Sequence, residues 1–128
     1  MAQAPAVRGW DFEVDRGPDW LFVRPRISGN TESDPSLFAE QVWSLMEQHF
    51  ATRVVLEMGE IGWLNSPLIG QLVGLQKRIS TQDGVLRLCE LSPGNEEALH
   101  TCRLKNHLRT FHDREEAVLG PAWSRMPR

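Results

Sequence analysis

Six side chains could hold a metal ion, His49, His100, His107, His112, Cys89 and Cys102, and their spacing argues against it. Cys102 and His107 lie near one another. Neither they nor the others form the C-x-x-C or H-E-x-x-H pairing that sets two ligands side by side, so surface histidines and buried, reduced thiols are expected. Two cysteines are also too few for a disulfide framework. A serine hydrolase needs Gly-x-Ser-x-Gly, whereas Ser66 lies between Asn65 and Pro67, and a proline has no N–H to offer an oxyanion. Neither G-x-x-x-x-G-K nor G-x-G-x-x-G occurs, so no loop cradles a phosphate. Gly70 and Gly74 form G-x-x-x-G beside Gln71 and Lys77, too polar for a membrane dimer; such glycines let a helix approach the sheet, or a partner, closely. The expectation is a chain that catalyses nothing and holds neither metal nor cofactor.

Ser66 keeps a chemical interest of another kind, because of the elements around it. Arg53 to Met58 is a short β-branched run of the sort that fills the middle of a sheet. Leu68, Ile69, Leu72, Val73, Leu75 and Ile79 then recur at helical spacing, with Gln71, Lys77 and Arg78 on another side. Between the two, Ser66 reads as the helix N-cap and Pro67 as its first residue. Such a hydroxyl at a strand-to-helix junction is a cap or a point of modification.

Upstream, Trp10, Phe12 and Val14 alternate with Asp11, Glu13 and Asp15, the period of a half-buried strand. Gly17-Pro18 turns the chain into a second strand from Trp20 to Ile27, whose Pro25 suits a sheet edge or bulge. Ser28 to Ser36 is a polar loop in which Ser33 or Asp34 caps a helix. Leu37, Phe38, Val42, Leu45, Met46 and Phe50 form the apolar stripe of that helix. The order is β-β-α-β-α-β-α-α: an α/β domain with a mixed sheet, an antiparallel hairpin followed by parallel strands, packed with about four helices.

With 128 residues, 41% of them hydrophobic and 24% charged, the chain fits one domain. Residues 1–9 read as an N-terminal extension, 10–119 as the domain and 120–128 as a C-terminal tail. The net charge of −3 disfavours nucleic acid as a partner. No signal-like or membrane-spanning apolar run occurs, so a cytoplasmic location without membrane insertion is expected.

Between Val54 and Ala117 the sequence resembles the STAS family, the sulphate-transporter and anti-sigma-factor-antagonist domain, and it is compatible with that family from about Trp10 to Val118. The resemblance is carried by the strand leading through Asn65-Ser66 into a Leu-rich helix, by Gly84 to Leu91 with Ser92-Pro93, by Glu96 to Leu99, by Leu104 to Leu108 with Phe111, and by Asp113-Arg114-Glu115-Glu116-Ala117. Three positions depart from the pattern. Asn65 stands where the family usually has aspartate, Pro67 where sporulation-type members carry the phosphorylated serine, and Leu68 where they carry glycine. Stressosome-type members resemble this chain differently, with the phosphoacceptor directly after the aspartate, which makes Ser66 the candidate here.

The resemblance implies a bacterial, non-catalytic regulator of transcription that works by partner switching. Its partner would be an anti-sigma factor or a serine kinase of the histidine-kinase fold, and a homodimer is left open. The implied contact residues are Ile61, Trp63, Asn65, Ser66, Pro67, Gln71, Gly74, Lys77 and Arg78. The alternative it offers is a scaffold subunit that needs no phosphate, in a stressosome-like assembly or a lipid-trafficking ABC transporter.

Overall fold

The computed structural model describes residues 2–7, 10–27, 35–104 and 107–124, with side-chain surroundings throughout except at 2–7 and 120–124. Six strands stand in chain order across one sheet. β1 (Ala2–Val7), β2 (Trp10–Arg16) and β3 (Leu21–Ile27) are antiparallel neighbours, and β4 (Arg53–Glu57), β5 (Val85–Cys89) and β6 (Thr110–Phe111) continue parallel from β3. The parallel strands are joined through α1 (Phe38–Gln48), α2 (Ser66–Thr81) and α3 (Pro93–Thr101), and α4 (Arg114–Ser124) follows β6.

This is the expected mixed sheet with four helices. It has two strands that periodicity does not reveal. β1, AQAPAV, has no strong polar–apolar alternation, and β6 is two residues long. α4 runs on to Ser124, into residues 120–128, which were expected to be a tail.

Alternation along the strands sorts side chains onto two faces. Trp10, Phe12, Val14, Leu21, Val23, Val54, Leu56, Leu86 and Leu88 face the main core, against Phe38, Val42, Leu45 and Met46 of α1, Leu68, Ile69, Leu72, Leu75 and Ile79 of α2, and Leu99 of α3. The opposite face carries Trp20, Phe22, Val55 and Cys89 under Ala117 of α4. Helices on both faces explain why β4 is buried at every position after Arg53. Pro25 fits its place for a local reason: β4 pairs with β3 only as far as Val23, so the missing N–H falls beyond that ladder. At the start of β5 a Cβ on Gly84 would collide with the Thr52 carbonyl, which accepts from Val85 N at 3.0 Å.

One expected core residue lies elsewhere. Phe50 is 91% exposed and left-handed, at φ 54°. Phe50 N donates to Glu47 O and Ala51 N to Met46 O, which closes α1 before the apolar stripe reaches Phe50 and turns its ring to solvent. The expected caps Ser33 and Asp34 lie outside the described residues. Pro35 opens a 3-10 turn, Pro35–Leu37, that leads into α1.

Candidate functional site

Between β4 and α2 the chain makes one 3-10 turn, Met58–Glu60, and then a loop whose ends are sunk in the core. Ile61 and Leu64 are buried, and between them Gly62 and Trp63 face solvent, Trp63 with 75% of its surface exposed. The loop is tied by Asn95 of α3, only 2% exposed: its Oδ1 accepts from Leu64 N at 2.9 Å and its Nδ2 donates to Ile61 O at 3.1 Å. Ile61, expected as a contact residue, therefore contributes a core side chain and a carbonyl to the mounting of the loop.

The cap is one residue earlier than the sequence suggests. Asn65 is extended (φ −81°, ψ 169°), its Oδ1 accepts from Leu68 N at 3.0 Å, and its carbonyl accepts from Ile69 N at 2.9 Å. Ser66 is thus the first helical residue and Pro67 the second, both exposed. The correction follows from chemistry: asparagine caps as well as serine does, and proline is tolerated throughout the first turn. Asn65→Ala should lower stability by about 0.5–2 kcal/mol, whereas Ser66→Ala should stay within about 0.5 kcal/mol of the parent, as surface substitutions do. Urea unfolding of both variants checks this, and a larger loss at Ser66 would restore the serine as the cap.

From Ser66 the outer side of α2 runs through Gly70 and Gly74 to Lys77, all exposed. A Cβ at either glycine would meet nothing within 4 Å, so these glycines do not serve close packing on the sheet. Gln71 and Arg78 are engaged inside the domain. Gln71 Oε1 accepts from Ala39 N at 3.0 Å, in the first turn of α1, where no side chain caps at Leu37. Arg78 donates to Glu40 at 3.0 Å and lies 4.2 Å over the Trp43 ring. α2 carries Lys77 and Arg78 and no acidic residue; Glu40 of α1 matches Arg78, so Lys77 is the cation that the outer side of α2 presents.

A second polar cluster lies on the opposite sheet face. Arg114, opening α4, donates to both carboxylate oxygens of the buried Glu57 (2.8 and 2.9 Å) and to Asp15 (2.7 Å). Arg24 donates to Glu90 at 3.0 and 3.2 Å. Among the described residues Glu57, Cys89 and Glu90 bring potential metal ligands within 4.8 Å of one another. The chemistry there suits a cation poorly. Both carboxylates are already matched by guanidinium groups, and burial, helped by Glu57 and Glu90, pushes the Cys89 thiol up to about 12. None of the four histidines joins that group.

Sequence reasoning missed Asn95, Glu57 and Arg114. Asn95 had a signal, since it sits four residues before Leu99 on the buried side of α3.

The family model for the STAS domain matches residues 27–117. The fold is similar to that of a Thermotoga maritima protein described as a candidate anti-sigma factor antagonist (TM-score 0.69, 19% identity, 84% of this chain and 91% of that one). It is similar also to an anti-sigma factor antagonist from Mycobacterium paratuberculosis (TM-score 0.69, 12% identity, 90% and 96%). A third likeness is to the antagonist SpoIIAA, a Bacillus cell fate determinant, in its unphosphorylated form (TM-score 0.64, 14% identity, 91% and 99%). No curated protein matches the chain.

Proposed function

This chain belongs to the STAS domain family, and from that premise we propose that it acts without catalysis, as an anti-sigma-factor-antagonist-like regulator that binds a protein partner through the Trp63 loop and the outer side of α2. The partner is an anti-sigma factor or a serine kinase of the histidine-kinase fold, and Ser66 is the phosphoacceptor that controls the contact. One observation carries the reading: Ser66, Gly70, Gly74 and Lys77 form a solvent-facing lane with no Cβ neighbours at its glycines, headed by an exposed tryptophan on a tied loop. A backbone bare of side chains lets a partner come close, and an exposed aromatic supplies anchor area. Among the described residues no helix is long and apolar enough to cross a membrane.

The test is calorimetric titration of the purified chain against each purified anti-sigma factor and histidine-kinase-fold serine kinase encoded in the same genome. Saturable binding to one of them is expected, and binding to none overturns the reading. Lys77→Glu should weaken that binding by about 1 kcal/mol, roughly fivefold, and leave the melting temperature unchanged, because an exposed charge steers association but adds little to folding. Arg78→Ala should instead lower stability by about 0.5–1 kcal/mol through the lost Trp43 stacking. Equal stability losses from the two would show that Lys77 is not on the open side.

A further inference from the structure

We propose that Asn95 is a positioning residue for the docking loop, setting where Trp63 stands relative to Ser66; this rests on the docking reading above. The chain bends at Gly62 between Ile61 and Leu64, and a β-turn over these four residues would be closed by a bond from Leu64 N–H to the Ile61 carbonyl. That bond is not made. The Asn95 carboxamide bridges the two groups instead: its Oδ1 accepts from Leu64 N at 2.9 Å and its Nδ2 donates to the Ile61 carbonyl at 3.1 Å. A side-chain amide offers a donor and an acceptor at once, whereas a carboxylate only accepts and an aliphatic chain does neither. Because the site is buried, removing the amide leaves two backbone groups without partners, and the loop must rearrange to satisfy them.

The backbone that carries Asn95 is itself held. Ser92 Oγ accepts from Asn95 N at 3.1 Å, and Glu96 accepts from the Thr110 hydroxyl at 2.9 Å, which ties α3 to β6. Between the buried ends at Ile61 and Leu64, Trp63 therefore projects from a backbone fixed on both sides, which lowers the cost of ordering the loop on binding. The partner that fits is a protein surface with an apolar pocket for the indole and an acidic group facing Lys77, the exposed cation of the lane.

The experiment compares Asn95→Leu, Asn95→Asp and Trp63→Ala with Leu99→Ala, a core truncation in the same helix. Each protein carries 5-fluorotryptophan, the Trp63 resonance being assigned by Trp63→Phe, and each is titrated with the anti-sigma factor or kinase that binds the parent. With Asn95→Leu the Leu64 amide should exchange at least tenfold faster, the Trp63 resonance should shift or split, and Kd should rise tenfold or more. Leu99→Ala should lower the melting temperature at least as far, with the Trp63 resonance unmoved and Kd within twofold. Asn95→Asp, which keeps the acceptor for Leu64 and loses the donor to Ile61, gives the same comparison should Asn95→Leu not fold. Unchanged Leu64 exchange, or affinity within twofold in the Asn95 variants while Trp63→Ala weakens binding, overturns the positioning role alone. An unchanged Kd for Trp63→Ala, or binding by no anti-sigma factor or kinase, overturns the docking reading and this inference with it.

Discussion

Arg114→Ala should cost the domain about 3 kcal/mol, because it strands a charge that the fold has buried. Glu57 is 3% exposed at the end of β4, and both its carboxylate oxygens receive N–H groups from Arg114, which also reaches Asp15 and lies 4.1 Å over the Phe22 ring. Arg24, 3.6 Å from Glu57, offers partial compensation, which sets the expectation at the lower end of the range for a broken buried pair. For a chain of this length the loss corresponds to a fall in melting temperature of roughly 10 °C. The double variant Arg114→Met, Glu57→Leu should recover most of it, since a buried pair exchanged for apolar side chains is often neutral or stabilising, and the cycle isolates the coupling. A loss below about 0.5 kcal/mol for Arg114→Ala would mean that water reaches Glu57 and that α4 is not fastened at its first residue.

The same contact gives an acid signature. The Arg114 hydrogen bond, aided by its charge, holds the Asp15 carboxyl below the usual carboxylate range against a smaller opposing effect of burial. A carboxyl whose folded pKa is depressed contributes stability that is present above its unfolded pKa and is lost as pH falls through the folded one. Arg114→Ala should therefore flatten the stability profile below about pH 4, the unfolded carboxylate range. Asp15 is only partly buried, so this is a change of shape in the profile and a small one.

How far the fold is legible in sequence follows from what each element must bury. The main-core stripe of α2, at Leu68, Ile69, Leu72, Leu75 and Ile79, is buried throughout, and the alternation in β2 matches its two faces. Where local signals tie, neighbours in space decide. Asn65-Ser66-Pro67 permits a cap at either of two residues, and the burial of Ile61 and Leu64 accompanies the earlier one. Phe50 continues a helical stripe in sequence, yet two C-terminal hydrogen bonds end the helix before it. Contacts between distant residues leave the least trace. Glu57 and Arg114 are separated by 57 positions, and an acid at the end of a buried strand shows only that a cation must cover it, never which one. Asn95 is intermediate: its place on the buried side of α3 could be read, but its two backbone partners in another loop could not.

Ser66→Asp should leave the domain folded and lower affinity for the partner about a hundredfold, some 2.7 kcal/mol. The fold survives because Asn65, and not Ser66, satisfies Leu68 N, and because a negative charge in the first turn of α2 meets the positive end of the helix dipole, worth about 0.3–1 kcal/mol in its favour. Binding suffers because the lane that begins at Ser66 ends in Lys77, which suits an acidic partner surface, and like charges brought together across an interface cost several kcal/mol. A phosphate, with roughly −1.5 to −2 charge and three acceptor oxygens, should do the same more strongly. Ser66→Asn is the control, with similar size and no charge, and should bind as the parent does. Titration against the partner anti-sigma factor or kinase, with mass spectrometry of the chain recovered from cells, separates the outcomes. If Ser66→Asp binds as tightly as the parent and no phosphate is found on Ser66, the serine is only the first residue of a helix. The family membership would then be better met by a scaffold subunit, in a stressosome-like assembly or a lipid-trafficking ABC transporter, whose contacts need no switch.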